Sequence, residues 1–292
     1  MRKLELSIAF AIVFTLALAA FSGSLYAMDW PSGSAVLIRN FGWNDRGRPV
    51  LGMVFEGEGE VLAAETGEVI FSRGRNDTAS RLPSPLGAWT AVDHGDGLIS
   101  MYSRYGEETS LPVRIEKQSP IAATGISGWS AQKGFYFVLY DRRERRWINP
   151  AMIITPVQNT RPPQILAVDL RNAQGLPVDS AQLRNLSQGR YTVSVATTNA
   201  ARARENLLAP YRIVCSINGA EVGSLNFEAF SARDGVLLVY RNGLVPVKQI
   251  YANFPAFETA EVFLNRGQAS LEIIVQDLAG NSRNALTRMI IN

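Results

Sequence analysis

Short runs in which apolar and polar residues alternate recur along most of the chain, separated by glycine, asparagine, aspartate and proline. Examples in the first half are Val36 to Ile38, Ala88 to Val92, Leu98 to Tyr102 and Phe135 to Tyr140, which are rich in β-branched and aromatic residues. Their lengths and alternation are typical of β-strands. Apolar residues at helical spacing are nearly absent. The pattern therefore predicts an all-β, antiparallel protein.

The second half has its own series of such runs, at 165–170, 191–196, 211–217, 236–240, 260–264 and 271–276. Two of the connections contain Asn218-Gly219 and Asn242-Gly243, dipeptides that accept the positive φ angles of hairpin turns. This density of strands predicts a β-sandwich. Residues 271–281 resemble the closing strand and turn of bacterial immunoglobulin-like domains, so we expect an immunoglobulin-like sandwich.

A polar stretch at 156–163 separates the two series and ends in Pro162 and Pro163. Neither a helix nor a central strand continues through such a segment. We therefore predict a first domain at 28–157, a linker at 158–163 and a second domain at 164–292.

The N-terminus has the order of a secretory leader. Arg2 and Lys3 precede an apolar run from Ile8 to Phe21, and small or weakly polar residues lead to Ala27. We predict a signal peptide at 1–27 and an exported protein, in the periplasm or at the surface of a bacterium. The alternative is a retained leader that anchors the chain, although 14 apolar residues are fewer than the roughly 20 of a spanning helix. Contact with a membrane is expected only through such an uncleaved leader.

Composition narrows the classes of function. The formal net charge of +3 over 292 residues gives no electrostatic reason to expect a nucleic-acid partner. Cys215 is the only cysteine, which excludes an internal disulfide. It lies in an alternating run, so we expect a buried structural thiol.

Four segments of the first half carry a family resemblance. Residues 59–69 read GEVLAAETGEV, residues 92–102 read VDHGDGLISMY, residues 124–130 read TGISGWS, and the strand-like 134–137 and Asn149-Pro150 follow. In this order they resemble the G-x-V-x-A-x-x-x-G-x-V, V-x-I-D-H-G-N-G-x-x-T-x-Y and G-x-T-G-x-S segments of the M23 (LytM-like) peptidase family. The resemblance implies an M23-like antiparallel β domain, and its active members cleave peptidoglycan with one zinc ion.

The residues that the family uses for chemistry are replaced in this chain. The family's zinc-ligand positions fall on Val50, Val54 and Tyr136, and its assisting histidine positions fall on Arg104 and Gly134. A catalytic zinc site needs three protein donors and an open position for water. The resemblance thus implies a degenerate member with no catalytic residue, no metal and no cofactor. A zinc site built only from Asp and Glu stays open, although zinc prefers nitrogen and sulfur donors.

His94 is the only histidine of the chain, and it matches the family's H-G-N-G turn. We expect it to stabilise that turn, because one imidazole without positioned partners is not a catalytic apparatus. The G-x-S-x-G elbow of serine hydrolases and the phosphate-binding P-loop are both missing from the sequence.

Binding is therefore the expected activity of the first domain. Candidate binding residues are basic or aromatic: Arg104, Tyr136, Arg142, Arg143, Arg145, Arg146 and Trp147. The last five should form a basic hairpin tip beside the former active site, and Arg104 could add to the same patch. Arginine forks suit carboxylates. The alternative is a solvated turn that only aids solubility.

Three functions compete. The first is an exported, catalytically inactive protein that binds peptidoglycan or a cell-wall hydrolase, such as an amidase, and regulates or scaffolds wall remodelling. The second is a structural module of the cell envelope, and the third is an active zinc endopeptidase of peptidoglycan. The chain lacks the coiled-coil heptads that many amidase-activating relatives carry, which weakens the first reading without removing it.

Overall fold

The computed structural model describes residues 28–74, 83–107, 110–154, 161–198 and 208–292. The predicted leader at 1–27 and residues 158–160 of the predicted linker lie outside them. The regular secondary structure of the described residues is almost entirely β-strand, which confirms the prediction of an all-β, antiparallel chain. Helical structure in these ranges is limited to short 3-10 turns at Pro150–Met152 and Ser180–Arg184 and one turn of α-helix, α1 (Val247–Ile250). None of these helices has the length or the apolar character to cross a membrane.

The described residues of the first half form ten strands: β1 (Val36–Arg39), β2 (Met53–Glu56), β3 (Glu60–Leu62), β4 (Gly67–Arg73), β5 (Ala88–Asp93), β6 (Leu98–Tyr105), β7 (Arg114–Ile115), β8 (Pro120–Ala123), β9 (Gly134–Asp141) and β10 (Arg146–Ile148). Its main sheet runs in the order β7, β4, β5, β6, β9. The free edge of β9 pairs with β2 at its start and with β10 at its end.

The main sheet of the first half has a core face and an opposite face, here called the open face, because successive side chains of a strand point to opposite sides. The open face is only partly exposed, since Ala91, Ser103 and Val138 on it are buried. Phe135, Phe137 and Leu139 of β9 are buried in the core, together with Tyr102 of β6. The alternate residue Tyr136 points to the other side and is half-buried. The short pair β3–β8 contributes Val61 and other residues to this core.

The second half is a two-layered β-sandwich, with nine strands in the part that the structure describes: β11 (Gln164–Asn172), β12 (Gly189–Thr198), β13 (Arg212–Ile217), β14 (Ala220–Arg233), β15 (Val236–Arg241), β16 (Leu244–Pro246), β17 (Phe257–Leu264), β18 (Gly267–Gln276) and β19 (Ser282–Ile291). One sheet has the order β11, β12, β17, and the other contains β19, β18, β13, β14, β15 and β16. This order fits the predicted immunoglobulin-like sandwich.

The sandwich core is formed by residues from both of its sheets, such as Val193 and Phe257 on one side and Ile213 and Ile273 on the other. Cys215 is fully buried among them, as predicted. Burial raises the pKa of its thiol to about 12. The thiol is therefore protonated at neutral pH and acts as a small apolar side chain.

The two halves share one continuous sheet. Strand β10 pairs with β9 on one edge and with β14 of the sandwich on the other, so that Trp147 lies opposite Phe230. Asn149 follows β10, and its side-chain amide donates to the Phe227 carbonyl at 2.9 Å. The sheet therefore continues from the first half into the sandwich.

A second connection is the segment 40–51 between β1 and β2, here called the strap. Phe41 of the strap has no exposed surface and lies in the sandwich core, with its ring 4.9 Å from that of Phe230. The Tyr251 hydroxyl donates to the Gly42 carbonyl at 2.6 Å. Asn40 exchanges two side-chain hydrogen bonds with the backbone of Ala209, at 2.7 and 2.9 Å. The sandwich thus holds a loop that belongs to the first half.

Candidate functional site

The open face of the first half presents a row of apolar side chains on adjacent strands. Side chains of residues paired across neighbouring strands point to the same side of the sheet. Tyr136 is paired with Val54 and with Ser103, and Ser103 is paired with Trp89. Met101 and Phe71 lie two residues along their strands from Ser103 and from the partner of Trp89, so they point to this side as well. We call the following set the groove floor: Val54, Phe71, Trp89, Met101 and Tyr136. Each is half-buried or exposed. An apolar sheet face left open to solvent is a candidate binding surface.

Arg104 reaches this face because β6 contains a bulge. Tyr105 pairs with Ala88 and Ser103 pairs with Trp89, which leaves Arg104 as the extra residue on its strand. Its φ of 65° is in the left-handed region that glycine normally occupies in such bulges. Its backbone N–H donates to the Leu86 carbonyl at 2.8 Å instead of to a neighbouring strand. In a regular strand the side chain would point into the core, and the bulge turns it outward.

The guanidinium of Arg104 stacks over the ring of Tyr136, with its central carbon 5.0 Å from the ring centroid. This is within the range of a cation–π contact. Its Nε is buried and has no hydrogen-bond partner among the residues that the structure describes. A buried donor without an acceptor costs about 1–3 kcal/mol. An acceptor that reached this Nε would remove that cost, which requires the atom to become accessible.

Tyr136 is fixed at both ends. Its hydroxyl accepts a hydrogen bond from the Leu51 amide of the strap at 3.1 Å, and its ring supports Arg104. Burial raises the pKa of Tyr136 to about 12, although the nearby charge of Arg104 and the bond from Leu51 act in the opposite direction. The hydroxyl is neutral at physiological pH and anchors the strap instead of supplying a base.

The structure brings together some of the positions that the resemblance assigns to chemistry. Val54 and Tyr136 are cross-strand partners, and Arg104 lies above them. Val50 is in the strap, where its N–H donates to the Trp43 carbonyl at 2.9 Å. These positions present two valines, a phenol and a guanidinium, none of which is a usual zinc ligand.

Two glycines leave no room for side chains at this site. A Cβ on Gly134 would overlap the Phe55 carbonyl oxygen, and one on Gly52 would overlap the Phe137 carbonyl oxygen. Strands β2 and β9 approach too closely there for any side chain. A histidine at position 134 therefore requires that β2 move away from β9. The described residues contain no cluster of three or more His, Cys, Asp or Glu that could hold a metal ion.

His94 has hydrogen-bond partners for both ring nitrogens, and both partners lie outside the turn at 94–97 that it was predicted to stabilise. Its Nδ1 lies 2.9 Å from the Thr66 carbonyl and its Nε2 lies 2.7 Å from the Ser100 hydroxyl. A carbonyl only accepts, so the neutral ring carries its proton on Nδ1 and faces the Thr66 carbonyl with it. Burial lowers the pKa of His94, opposed by its bond to Thr66 and by the nearby carboxylates of Glu65 and Asp93. His94 thus joins β6 to the β4 turn as a neutral side chain.

The basic tip lies at the opposite end of β9 from Arg104. Tyr136 is near the start of β9, and the turn 142–145 follows its last residue, Asp141. Six residues of strand span about 20 Å. The expectation that the tip lies beside the former active site does not fit this geometry, because the family's histidine positions and the hairpin occupy opposite ends of the same strand.

The members of the basic tip have partners of their own. Arg142 lies 3.7 Å from Asp93, and Arg146 lies 3.7 Å from Asp141. Arg143 packs its aliphatic stem over Gly97, and Arg145 has a φ of 53° in the turn. The solvated-turn reading therefore fits most of the tip.

Trp147, the aromatic member of this set, packs on the sandwich core. Its ring contacts Tyr140, with centroids 5.5 Å apart, and its backbone lies between β9 and β14. It therefore belongs to the junction between the halves.

The loop 124–130 forms a wall of the groove beside Arg104. The Trp129 N–H donates to the Pro85 carbonyl at 3.1 Å, and the Ser127 hydroxyl accepts from the Ala88 N–H at 3.1 Å. A Cβ on Gly87 would overlap Ser127 and Gly128. Although its backbone is fixed in this way, the Trp129 side chain is 78% exposed. The exposed indole adds an apolar edge to this wall.

Comparison with known proteins gives a family match in the second half of the chain. A protein-family model, whose description names neither a fold nor an activity, matches residues 162–292. No curated protein matches the chain.

Solved structures with similarity to the chain include the catalytic domain of a mutant of the prophage-encoded M23 protein EnpA from Enterococcus faecalis, at 18% identity and a TM-score of 0.35, covering 43% of this chain and 95% of that one. A chain of the SpoIIQ–SpoIIIAH pore-forming complex matches at 17% identity and a TM-score of 0.36, covering 46% of this chain and 95% of that one. The antimicrobial peptidase lysostaphin from Staphylococcus simulans matches at 12% identity and a TM-score of 0.30, covering 91% of each chain. At these values the likeness carries no statement about activity, ligand or partner.

Sequence reasoning identified Arg104 and Tyr136 but missed the rest of the groove, which consists of Phe71, Trp89, Met101 and Trp129. The strand alternation that predicts β5 and β6 already separates Trp89 and Met101 from the core positions. Which of the two faces stays open depends on how β4, β5, β6 and β9 assemble, and no local pattern encodes that.

Proposed function

We propose that this chain is an exported, catalytically inactive M23-peptidase-like protein that binds peptidoglycan, a cell-wall hydrolase such as an amidase, or both, and so regulates or scaffolds remodelling of the cell wall. The assignment to the wall rests on the sequence resemblance and the predicted leader. The observation that carries a binding role is the outward-turned Arg104, whose buried Nε has no partner among the described residues.

Loss of hydrolysis follows from what occupies the family's positions. Zinc hydrolysis needs three donors around the ion and an open position at which bound water is acidified. The side chains of Val50 and Val54 offer no donor. Position 134 accepts no side chain while β2 and β9 stay paired. Restoring chemistry would therefore require a rearranged backbone and not only new side chains.

A binding role is supported by the free-energy cost of the conformation and burial of Arg104. A left-handed conformation in a residue other than glycine costs about 1–3 kcal/mol, and a buried donor without a partner adds a similar amount. A lysine or glutamine on a regular strand would avoid both costs. Strain of this kind is typical of functional sites.

The test combines two readouts on one sample of purified protein. Intact peptidoglycan is incubated with the protein in the presence of zinc, with and without an added amidase, and soluble fragments and sedimented protein are measured. We expect no fragments from the protein alone, together with co-sedimentation or a higher rate of release by the amidase. Release of fragments by the protein alone, dependent on zinc, would contradict the proposal and favour an active endopeptidase.

A structural envelope module is the second candidate, and the continuous sheet through β10 and β14 favours it. Two halves joined in this way form a rigid spacer better than two domains on a flexible linker. This candidate predicts co-sedimentation with peptidoglycan and no effect on an added amidase, an outcome that a scaffold shares, so that only a higher rate of release by the amidase identifies a regulator.

A further inference from the structure

The chemistry of the groove narrows the kind of ligand that it fits. Arg104 is the cation that lies over Tyr136, and Arg73 lies opposite Trp89 on the same face. The Arg104 guanidinium offers a planar fork of donors, and the ring of Tyr136 holds that fork 5.0 Å above its centroid. A carboxylate accepts two parallel hydrogen bonds from such a fork, with better geometry than a neutral carbonyl. Charge complementarity therefore favours a ligand that carries a carboxylate.

A second subsite lies beside Arg104 and is aromatic. The rings of Phe71 and Trp89 stack with centroids 4.2 Å apart and an interplanar angle of 22°. Phe71 is 45% exposed, although a stacked pair of this size is usually covered. Met101 lies on the same face, one strand away. Together these side chains suit a large apolar side chain of a ligand.

The spacing between the subsites fits an extended polypeptide. Trp89 lies opposite Ser103, the residue before Arg104, on the adjacent strand. Neighbouring strands are about 4.8 Å apart, so the aromatic pair on β4 and β5 lies roughly 5–10 Å from β6. An extended chain advances about 3.3 Å per residue. A carboxylate one to three residues from a large apolar side chain would reach both subsites.

We infer that the groove binds an extended segment of a protein in which an acidic residue lies within three positions of a large apolar residue, with the carboxylate on Arg104 and the apolar side chain on Phe71 and Trp89. This inference rests on the proposed function and selects a protein partner over the wall polymer. Peptidoglycan also carries carboxylates, but its stem peptides lack large apolar side chains that would occupy the aromatic subsite.

The experiment uses nuclear magnetic resonance of the isotope-labelled full protein. The probes are the blocked peptide acetyl-Gly-Phe-Asp-Gly-amide, its Phe-Asn and Ala-Asp counterparts, and a purified disaccharide tetrapeptide from peptidoglycan. The signals followed are the Nε–H of Arg104 and the indole N–H of Trp89. We expect the Phe-Asp peptide to shift both signals saturably and each altered peptide to bind at least about tenfold more weakly.

Protein variants supply the matched control. Arg104→Lys keeps the charge but removes the planar fork, so binding of the Phe-Asp peptide should weaken about tenfold or more. Arg283→Lys, at an exposed arginine of β19 in the sandwich, should bind the peptide as the unmodified protein does. Circular dichroism and the unfolding midpoint establish that both variants fold.

Each other outcome overturns the inference in an identifiable way. Equal binding of the Asp and Asn peptides, or binding unaffected by Arg104→Lys, excludes carboxylate recognition at this site. Shifts with the disaccharide tetrapeptide alone overturn the choice of a protein partner while the proposed function stands. Absence of shifts with every probe, together with neither co-sedimentation nor any effect on an added amidase, overturns both.

Discussion

Replacement of Phe41 by alanine tests whether the two halves fold as one unit. Phe41 belongs to the strap of the first half, yet its side chain is completely buried in the sandwich core against Phe230. The next residue, Gly42, is equally enclosed, with a φ of 80° and a carbonyl that accepts from Tyr251. The variant Phe41→Ala therefore leaves a cavity in the sandwich at a position that anchors the first half.

The expected loss of stability is large. Truncation of a buried phenylalanine to alanine costs about 3–5 kcal/mol, against a total stability of about 5–15 kcal/mol for a typical domain. For a chain of this size such a loss lowers the midpoint of thermal unfolding by roughly 6–20 °C. If the halves are coupled through the strap and β10, both should lose this stability together.

Hydrogen exchange of backbone amides measures the two halves separately in one sample. We expect faster exchange by a similar factor in β5 of the first half and in β13 of the sandwich. Phe263→Ala is the matched control, since this phenylalanine of β17 is 56% exposed and its truncation should cost less than about 1 kcal/mol. Unchanged exchange in β5, with faster exchange confined to the sandwich, would refute the coupling.

Three further predictions concern the candidate site. Gly134→Ala should destabilise the protein by at least about 1–3 kcal/mol in denaturant unfolding, because its Cβ would overlap the Phe55 carbonyl. The control Gly33→Ala, at a position with open space, should change stability by less than about 0.5 kcal/mol. Equal effects of the two substitutions would contradict the close approach of β2 and β9. The pKa of His94 is lowered in the folded state, so the unfolded state binds more protons as pH falls below about 6.5, and the free energy of unfolding should fall by up to about 1.4 kcal/mol per pH unit. His94→Ala should remove the contribution of this one proton to the slope of unfolding free energy against pH. An unchanged slope would refute the buried, neutral state of His94. Arg104→Gly should raise the unfolding free energy by about 0.5–1 kcal/mol by relieving the left-handed backbone while abolishing binding of the Phe-Asp peptide, and a loss of stability would show that Arg104 supports the fold itself.

Local alternation was sufficient to predict most strands. The predicted runs at Val36, Ala88, Leu98 and Phe135 correspond to β1, β5, β6 and β9, and those of the second half correspond to sandwich strands. Strand β14 was not predicted, because Gly223, Ser224 and Asn226 interrupt its apolar pattern. It forms through pairing with β13, β10 and β15, which are contacts distant in sequence.

The candidate site was predictable only in part. The motif resemblance placed Arg104 at the position of an assisting histidine and Tyr136 at that of a zinc ligand, and the structure brings the two side chains into contact. The bulge that aims Arg104 outward could not be predicted, because it is defined by the register between β5 and β6. The attachment of the strap to the sandwich was likewise hidden, since Phe41 reads in the sequence as an ordinary apolar residue of the first half.

The most direct test of the central claim is the release of soluble fragments from intact peptidoglycan by an added amidase, measured with the unmodified protein, Arg104→Met and Arg142→Met. We expect the unmodified protein and Arg142→Met to enhance release equally and Arg104→Met to be at least about tenfold weaker. None of them should release fragments alone. Equal behaviour of the two variants, a loss confined to Arg142→Met, or zinc-dependent release by the protein alone would contradict the account.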